Sequence, residues 1–515
     1  MNFDWSLMQA ALPEIILAAS ILVILLAGAF APERRATYYV RRLAQASLLV
    51  TFFLILEGTQ LPQMFAFPRL MEVGNVPMHA MFINDGFAIF SKAVLVAMTF
   101  LCIFLARDYL SRLKIMSFEY YVMMLLVLLG GMILVSAHDL LVFYIGLELM
   151  SFSLYILTAY HRRSLRASEA GLKYFLLGSL ASGFILYGMS LFYGLTGSTS
   201  FEAIQLAMVD GQLISEQRMM MSMAMVMMLV GMLFKMSSVP FHVWTPDVYE
   251  GAPTPVTAFM SIVPKIATIA AFVRVLAEPM AYLKADWQPI LIIVAVLTMA
   301  MGSIVAIMQT NIKRLLAYSA IGNAGFVMVP MLTGTSEGYA AVLTYLVIYG
   351  ITLVGIFAVI LSFRNREMFL EDVSHLRGIA KQSPKLSFVF MLLLFSLSGV
   401  PPFAGFFGKL FAFKAAMNAG FVWLAVVAVV FSVVSAYYSL KIIKAMYFEE
   451  GGRTISPDQP KGLGYLAGFA LVVVLALSMF ADTLVNATGQ ASRGLYSNTV
   501  PQTTQVEIVD ENPHA

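Results

Sequence analysis

The sequence has little charge and almost no cysteine. Charged residues make up 12% of its 515 residues and apolar residues 60%, whereas a soluble domain usually has about 25% charged residues. This composition excludes a soluble enzyme, a disordered chain and a coiled coil, and it predicts a polytopic membrane protein. The single cysteine, Cys102, excludes an intrachain disulfide and a cysteine-ligated iron–sulfur cluster or zinc site built by this chain alone. The sequence has no G-x-G-x-x-G motif and no complete P-loop, so nothing in it predicts nucleotide or nucleic-acid binding.

Long apolar runs recur along the whole chain. A lipid-exposed span must be helical and needs about 20 apolar residues. The runs predict an all-α polytopic fold with about 14 transmembrane helices. The predicted spans lie near residues 11–31, 43–57, 81–105, 118–136, 139–160, 170–196, 219–240, 256–277, 288–310, 313–333, 337–362, 386–418, 421–447 and 463–485.

The basic residues give these spans an orientation. Alternate loops hold 21 of the 32 Lys and Arg residues, at 32–42, 106–117, 161–169, 311–314, 363–385 and 441–462. The opposite loops and tail hold only Arg69, Arg218, Lys284 and Arg493. Because Lys and Arg accumulate in cytoplasmic loops, the first set is predicted to be cytoplasmic and both termini to lie outside.

Seven further basic residues lie at membrane depth or close to it. They are Lys92, Lys173, Lys235, Lys265, Arg274, Lys409 and Lys414. An ionisable group in hydrocarbon costs at least about 2.5–3.5 kcal/mol on insertion scales, so a set of this size indicates function. We expect Lys92, Arg274 and Lys414 to snorkel or to form structural pairs instead.

Two apolar segments are too long for one straight crossing and are interrupted by similar phrases. Residues 237–241 read SSVPF and residues 398–403 read SGVPPF. Proline removes a backbone donor and clashes with the preceding turn, so each helix should break there. Freed backbone groups at depth are tolerated only inside protein or beside water. A proline kink in a packed helix is the alternative.

The two breaks fall on the seventh and twelfth predicted spans. Five-helix blocks at 118–277 and 288–447 place one break fourth in each block. Since five is odd, consecutive copies have opposite orientations, which is the inverted-repeat plan with discontinuous helices of secondary transporters. The predicted organisation is an N-terminal three-helix segment at 1–117, these two repeats, and a last span with a polar tail at 448–515.

Four ionisable residues form a candidate proton path. Glu148 lies about nine residues from the outer end of the fifth span, roughly 13 Å deep at 1.5 Å per residue. Lys265 lies about nine residues from the inner end of the eighth span, so both fall near the midplane. Lys235 precedes the first break, and Lys409 follows the second break in the outer half of its helix.

The proximity of a carboxylate would decide the charge of such a lysine. Burial favours the neutral amine, whereas a carboxylate about 4 Å away stabilises the charged ammonium by about 4 kcal/mol at an effective dielectric near 20. Because these terms nearly cancel, a movement of Glu148 would switch a lysine between charged and neutral without a metal or organic cofactor. A permanent structural ion pair between Glu148 and Lys235 is the alternative.

Two longer motifs carry a resemblance to a known family. Residues 233–255 read LFKMSSVPFHVWTPDVYEGAPTP and residues 311–319 read NIKRLLAYS. With them the chain resembles the antiporter-like subunits of proton-translocating NADH:quinone oxidoreductase, respiratory complex I, over about residues 81–450. Within that family it is similar to the N-type subunit, because residues 146–151 read GLELMS and residues 405–409 read GFFGK. The M-type has Glu at the position of Lys409, and the L-type carries a long lateral helix after its last spans.

The resemblance implies a role for each residue of the candidate path. Glu148 and Lys235 would be the coupling ion pair. Lys265 would be the central proton carrier and Lys409 the terminal carrier near the outer exit. The implied activity is outward proton pumping, coupled to NADH oxidation and quinone reduction by the whole complex.

Three residues are accessory candidates, and one position departs from the family pattern. Lys173 matches a lysine that the N-type often has on its sixth helix, and His242 lies within the first long motif. The family often has His where this chain has Asn323. Because Asn cannot carry a proton, a relay at that position would have to use water or Tyr318.

The resemblance also implies partners and a location. The expected partners are other membrane and peripheral subunits of complex I, including other antiporter-like subunits, and membrane lipid, in a bacterial inner membrane. NADH, FMN, iron–sulfur clusters and quinone are expected on those subunits, with no cofactor or metal on this chain. The first alternative is a subunit of a multi-subunit cation/proton antiporter without a redox partner. The second is a non-pumping scaffold, against which the row of buried lysines argues.

Overall fold

The structure, a computed structural model, describes residues 10–57, 81–209, 215–365, 369–455 and 460–497. Short 3-10 helices lie at Ala281–Leu283 and Val373–Leu376. The α-helices are α1 (Leu12–Phe30), α2 (Glu33–Glu57), α3 (Gly86–Arg112), α4 (Glu119–Val135), α5 (Leu140–Thr158), α6 (Leu165–Thr196), α7 (Phe201–Val209), α8 (Ser215–Met236), α9 (Trp244–Gly251), α10 (Thr254–Ala277), α11 (Lys284–Met308), α12 (Ile312–Met331), α13 (Ser336–Ser362), α14 (Ile379–Gln382), α15 (Pro384–Ser398), α16 (Ala404–Asn418), α17 (Val422–Phe448), α18 (Lys461–Met479) and α19 (Ala481–Ser497).

Long apolar helices dominate the described chain. Eleven of them are long and apolar enough to cross a membrane, and α4 and α15 are shorter apolar helices. The predicted all-α polytopic membrane fold is therefore confirmed. The total of about 14 crossings and their division into inverted repeats stay predictions.

Helices α10 and α13 occupy the centre of the bundle. Every residue of α10 is buried, and so is almost every residue of α13. The two helices pack on each other and are enclosed by α3, α4, α12 and α16. A helix that is apolar all round belongs inside such a bundle. A polar side chain on α10 or α13 therefore faces protein rather than lipid.

Both predicted helix breaks are present, and they share one backbone geometry. α8 stops at Met236 and the chain resumes as α9 at Trp244, while α15 stops at Ser398 and resumes as α16 at Ala404. The residue after each helix end has a positive φ, at 65° for Ser237 and 83° for Gly399.

The hydrogen bonds that close the two helix ends also match. In each break the amide two residues past the helix donates to the carbonyl five residues back, and the preceding amide donates three residues back. The pairs are Ser238–Leu233 (2.9 Å), Ser237–Phe234 (2.9 Å), Val400–Phe395 (3.0 Å) and Gly399–Ser396 (3.0 Å). This Schellman motif leaves the carbonyl of the last helical residue without a partner inside its helix.

The structure differs from the sequence prediction at both ends of the chain. The segment 32–42, predicted as a loop, is helical because α2 already begins at Glu33, and its Glu, Arg and Ala residues are good helix formers. The predicted polar tail begins with α19. The remainder of that tail, residues 498–515, and the outer loop with Arg69 lie outside the described residues.

Candidate functional site

Lys265 lies in the centre of the bundle, beside the end of the first broken helix. Its Nζ donates to the carbonyl oxygens of Met236 at 3.3 Å and Ala320 at 3.4 Å, and the residue is 4% exposed. Met236 is the last residue of α8, so its carbonyl is both unpaired within the helix and at the negative end of the helix dipole. In the described part of the chain Lys265 thus has carbonyl partners rather than a carboxylate.

Lys409 repeats this arrangement at the second break. Its Nζ donates to the carbonyl oxygen of Ser398, the last residue of α15, at 2.8 Å, and to Ser432 Oγ at 2.9 Å. The ammonium nitrogen also lies 4.6 Å from the centre of the Phe326 ring, a cation–π distance. A Cβ on Gly399 would come within 2.8 Å of Lys409 Cδ, so glycine suits both the left-handed backbone and the approach of the lysine.

Glu148 and Lys235 lie near each other without a direct contact. Lys235 Nζ donates to Ser151 Oγ at 2.8 Å and to Tyr155 Oη at 3.3 Å, and Glu148 accepts a hydrogen bond from Ser182 of α6. Ser151 and Tyr155 lie one and two turns along α5 from Glu148, so these hydroxyls, rather than the Glu148 carboxylate, hold the Lys235 ammonium.

A chain of polar groups runs from the surroundings of Lys265 toward Lys409. Ser319, next in sequence to Ala320, accepts a hydrogen bond from Asn323 Nδ2 at its carbonyl oxygen at 2.7 Å. Tyr345 of α13 donates its phenol to Asn323 Oδ1 at 2.5 Å. The Ser319 hydroxyl also lies 2.8 Å from the Tyr438 hydroxyl. The phenol that contacts Asn323 is therefore Tyr345, and the predicted alternative, Tyr318, lies elsewhere on α12.

A small cavity completes this chain. It has a volume of about 20 Å³ and is lined by Asn323, Tyr345 and Lys409, with Thr352 and Ser396. One water needs about 10–15 Å³ of such space and two or more polar partners, so the cavity fits a single water. The sequence does not single out Tyr345, because it is one of three tyrosines in this apolar span, with Tyr339 and Tyr349.

Lys173 lies apart from these buried lysines, in an exposed ionic network. Its Nζ is 2.8 Å from Glu169 and 3.0 Å from Asp247, and its side chain is 43% exposed. Arg314 binds the same Asp247 at 2.8 Å and Glu250 at 3.1 Å. The network joins α6, α9 and α12 at the end of the bundle that is predicted to be cytoplasmic.

His242 and Tyr318 do not join the candidate path directly. His242 lies in the first break, and its buried Nδ1 has no hydrogen-bond partner within the described chain. Tyr318 is partly buried on α12. Among the residues that the structure describes, neither side chain is hydrogen-bonded to Lys265 or Lys409.

Lys92 and Arg274 form buried structural pairs, as expected. Lys92 Nζ is 2.7 Å from Glu14 Oε1. Arg274 donates to Asp85 at 2.8 Å and to Glu278 at 2.6 Å. Because removal of one partner of a buried pair leaves an uncompensated charge, these residues have a structural role that is sufficient to explain their burial.

These features of the bundle and of its buried lysines define the class of the protein. A bundle of long apolar helices, two of which break beside buried lysines, is an antiporter-like polytopic membrane protein. The model of the family described as NADH:quinone oxidoreductase/Mrp antiporter, TM, matches residues 137–435. The chain belongs to this family.

Curated relatives and solved structures agree with this assignment. The chain is 42% identical to NADH-quinone oxidoreductase subunit N of Parvibaculum lavamentivorans, over 94% of this chain and 97% of the relative. It is 43% identical to the subunit N of Rhodospirillum rubrum, over 87% and 90%. A chain of respiratory complex I from Thermus thermophilus is 31% identical, with a TM-score of 0.75 over 93% of this chain and 99% of that one. A chain of the Mrp complex from Dietzia sp., 22% identical with a TM-score of 0.81 over 96% and 98%, shares the fold.

Proposed function

We propose that this chain is the N-type membrane subunit of a proton-translocating NADH:quinone oxidoreductase and that it moves protons outward. The observation that carries the proposal is the repeated placement of a buried lysine on the free carbonyl of a broken helix. Lys265 has this position at the first break and Lys409 at the second. The relatives named subunit N, which match nearly the whole chain, support the same activity.

Each residue of the path has a definite task in this proposal. Lys265 accepts a proton from the cytoplasmic side and holds it as an ammonium on the Met236 carbonyl. The proton then passes along the polar groups at Asn323 and Tyr345, and through water, to Lys409. Lys173, His242 and Tyr318 are accessory, and Asn323 orients the relay without being protonated itself.

Glu148 and Lys235 are proposed to couple this path to the redox reaction. The present arrangement, with Lys235 on two hydroxyls and Glu148 on Ser182, is the separated state of the pair. Direct pairing would stabilise the charged form of Lys235. Return to the separated state would then leave this positive charge uncompensated in the region beside Met236, the partner of Lys265. That charge would favour release of the proton from Lys265.

A double-mutant cycle tests the pairing of Glu148 with Lys235. Glu148→Gln and Lys235→Met should each impair redox-coupled proton pumping, because each removes one charge of the switch. The double variant should lose less than the sum of the two, with an interaction energy of about 0.5–3 kcal/mol as for residues that belong to one hydrogen-bond or salt-bridge network. Ser153→Ala is a matched control on α5, since its hydroxyl donates to the Leu149 carbonyl of its own helix. Strict additivity in assembled enzyme would show that the two charges do not interact.

The two helix breaks support an internal repeat. We assign five-helix repeats to 118–277 and 288–447, after an N-terminal three-helix segment, because their breaks have the same left-handed residue and the same closing hydrogen bonds. Because the repeats have opposite orientations, each half of the proton path contains one broken helix with its free backbone groups.

The partners are proposed to be the other membrane and peripheral subunits of the complex, including further antiporter-like subunits, together with membrane lipid. NADH, FMN, the iron–sulfur clusters and quinone would be bound by those subunits. The chain is a multi-pass inner-membrane protein, and we place both of its termini on the outer side.

Tags test this orientation. A tag after Ser6 and a tag after Glu507 should both be accessible from the outer side, and a tag within residues 370–380 from the inner side, because basic loops remain in the cytoplasm. Protease protection in sealed vesicles of known orientation measures this. A cytoplasmic C-terminus would mean that the number of crossings is wrong by an odd number.

Isolation of the tagged chain from its native membrane tests the proposed function. Peripheral subunits that carry flavin and iron–sulfur clusters should co-purify with it. A multi-subunit cation/proton antiporter is the other candidate, because the Mrp chain has the same fold. Co-purification of membrane subunits alone, without redox proteins, would favour that candidate and contradict the proposal.

A further inference from the structure

A cavity of about 560 Å³ lies in the N-terminal segment, far along the chain from the proposed proton path. It is enclosed by the turn between α1 and α2 and by the connection from α3 to α4, at the end of the bundle that is predicted to be cytoplasmic. Apolar residues such as Ala31 and Phe118 form most of its wall, and Thr37, Ser117 and Glu119 add polar groups. Ligand sites have volumes of about 300–1,000 Å³ and a mostly apolar lining with a few polar groups, so this cavity has the dimensions of a ligand site.

Arg41 is a buried charge next to this cavity. The residue is only 9% exposed, and no Asp or Glu among the described residues forms an ion pair with it. Arg41 lies one turn along α2 from Thr37, on the same face of the helix, and a long helical side chain leans toward the N-terminus of its helix. Its guanidinium is therefore directed toward the wall at Thr37. Because a buried charge is costly unless it is paired, this arrangement is incomplete without an anion.

Arg42 brings a second positive charge to the same place. The guanidinium carbons of Arg41 and Arg42 lie 6.0 and 5.7 Å from the centre of one ring, that of Tyr38. The ring attracts both cations but carries no net charge, so the repulsion between them remains. A phosphate group can accept several charge-assisted hydrogen bonds from arginine at once. A phosphate between the two arginines would therefore pair the buried charge and remove the repulsion.

The surroundings of the arginines favour a phosphate that belongs to a lipid. Both residues lie in the first turns of the apolar segment Ala36–Glu57, which is long enough to cross a membrane. Farther along α2, Val50 and Phe53 are 50% and 60% exposed, so the same helix offers an apolar surface to acyl chains. Basic pockets between transmembrane helices on the cytoplasmic side bind acidic lipid headgroups. A ligand with a phosphate at one end and apolar chains at the other fits all of these features.

We propose that this cavity, with Arg41 and Arg42, is a binding site for an acidic glycerophospholipid of the cytoplasmic leaflet. Its phosphodiester accepts hydrogen bonds from Arg41 and from Arg42, and its acyl chains follow the apolar surface of α2. The glycerol of the headgroup lies against the hydroxyls of Thr37 and Ser117, where the Glu119 carboxylate can accept a hydrogen bond from a headgroup hydroxyl. The bound lipid joins the α1–α2 hairpin to the α3–α4 connection. This inference does not depend on the proposed proton path.

Photolabelling of the assembled complex tests the site. The tagged complex is placed in nanodiscs of phosphatidylcholine that contain a small fraction of phosphatidylglycerol with a diazirine in an acyl chain, close to the glycerol. After illumination, mass spectrometry of peptides from this chain should find the label within residues 28–53 or 113–119. Arg41→Gln should lower this labelling by at least about tenfold, because it removes charge-assisted hydrogen bonds to the phosphate. Arg41→Lys should give an intermediate value, since an ammonium keeps the charge without the bidentate geometry.

Arg163→Gln is the matched control, because Arg163 is an exposed arginine of another loop that is predicted to be cytoplasmic, and it should leave the labelling unchanged. Ala31→Phe, at the partly exposed turn between α1 and α2, fills the cavity while keeping both arginines, and it should also reduce the labelling if Arg41→Gln does not assemble. Full labelling of Ala31→Phe or of assembled Arg41→Gln would overturn the site.

Two further arms identify the ligand. A phosphatidylcholine with the same diazirine should label these residues far less, because its quaternary ammonium faces two arginines. Equal labelling by the two lipids would show a general lipid contact and would overturn selectivity for an acidic lipid. Inorganic phosphate in the buffer should not compete, because it has no acyl chains. Loss of the label when inorganic phosphate is added would mean that the arginines bind free phosphate, and it would overturn the lipid as the ligand.

Discussion

Replacement of Lys265 by alanine should stop proton transfer through this chain. In the proposed path Lys265 is the proton carrier on the central helix α10, and the next basic residue on that helix, Arg274, lies two and a half turns farther out in a pair with Asp85. We expect transfer to fall by at least about tenfold, which corresponds to a barrier raised by about 1.4 kcal/mol or more. Proton uptake into reconstituted vesicles, with NADH oxidation recorded alongside, measures this.

The Lys265→Ala variant should still assemble. The lysine has carbonyl partners, so its removal leaves no buried carboxylate without a counter-charge, unlike the removal of a partner from a buried ion pair. Lys381→Ala is the control for a lost lysine, because Lys381 is 73% exposed and pairs with Glu450 at the surface. A normal proton-to-NADH ratio in assembled Lys265→Ala would exclude Lys265 as a carrier.

Lys409→Ala should be as severe, whereas Lys409→Glu should retain partial activity. Alanine leaves the Ser398 carbonyl without its donor and the single-water cavity without its amine. A glutamic acid in its neutral form can donate to the same carbonyl, and it can be deprotonated and reprotonated; the M-type subunits of the family have Glu at this position. An ionised Glu beside the negative end of α15 is disfavoured, so the rate should lie below that of the native chain.

The comparison of the two Lys409 variants separates a proton carrier from a structural residue. Pumping by assembled enzyme and its dependence on pH are the measurements, because a carboxyl and an amine exchange protons in different pH ranges. If Lys409→Ala pumped at the normal ratio, Lys409 would be reassigned to stabilising the end of α15. If Lys409→Glu changed the rate without any change in the pH profile, the side chain at this position would not be titrating during turnover.

The helix breaks and the burial of Lys265 and Lys409 could be predicted from sequence because local chemistry and the apolar surroundings determine them. Proline cannot continue a helix, so the phrases at 237–241 and 398–403 specify where α8 and α15 stop. A count of residues from the inner end of its span predicts Lys265 near the midplane. Lys409 is predicted in the outer half of its helix because it follows the second break. The positions Ser237 and Gly399, which adopt the left-handed backbone, fall within the same short phrases.

Other features of the site depend on packing between distant helices. Nothing near Lys265 in sequence indicates that it meets the Met236 carbonyl, and Tyr345 reaches Asn323 only because α12 and α13 pack together. Helix α19 has a buried face of Thr488, Ala491, Ser492 and Leu495. This face recurs at helical spacing, so the pattern is that of an amphipathic helix, but the segment as a whole is too polar to be predicted as a membrane span. The hydrogen bonds that hold Glu148 and Lys235 apart also depend on packing between helices, because they join α5 to α6 and to α8.

The most direct test of a single path through both lysines compares the proton-to-NADH ratio of Lys265→Ala, Lys409→Ala and the double variant in the reconstituted complex. If the two residues act in series, either substitution already interrupts the path, and the double variant should pump no less than the more severe single variant. Lys381→Ala and the native chain should keep the full ratio. A double variant whose loss equals the sum of two partial single losses would show that the lysines serve independent routes, and it would contradict the account.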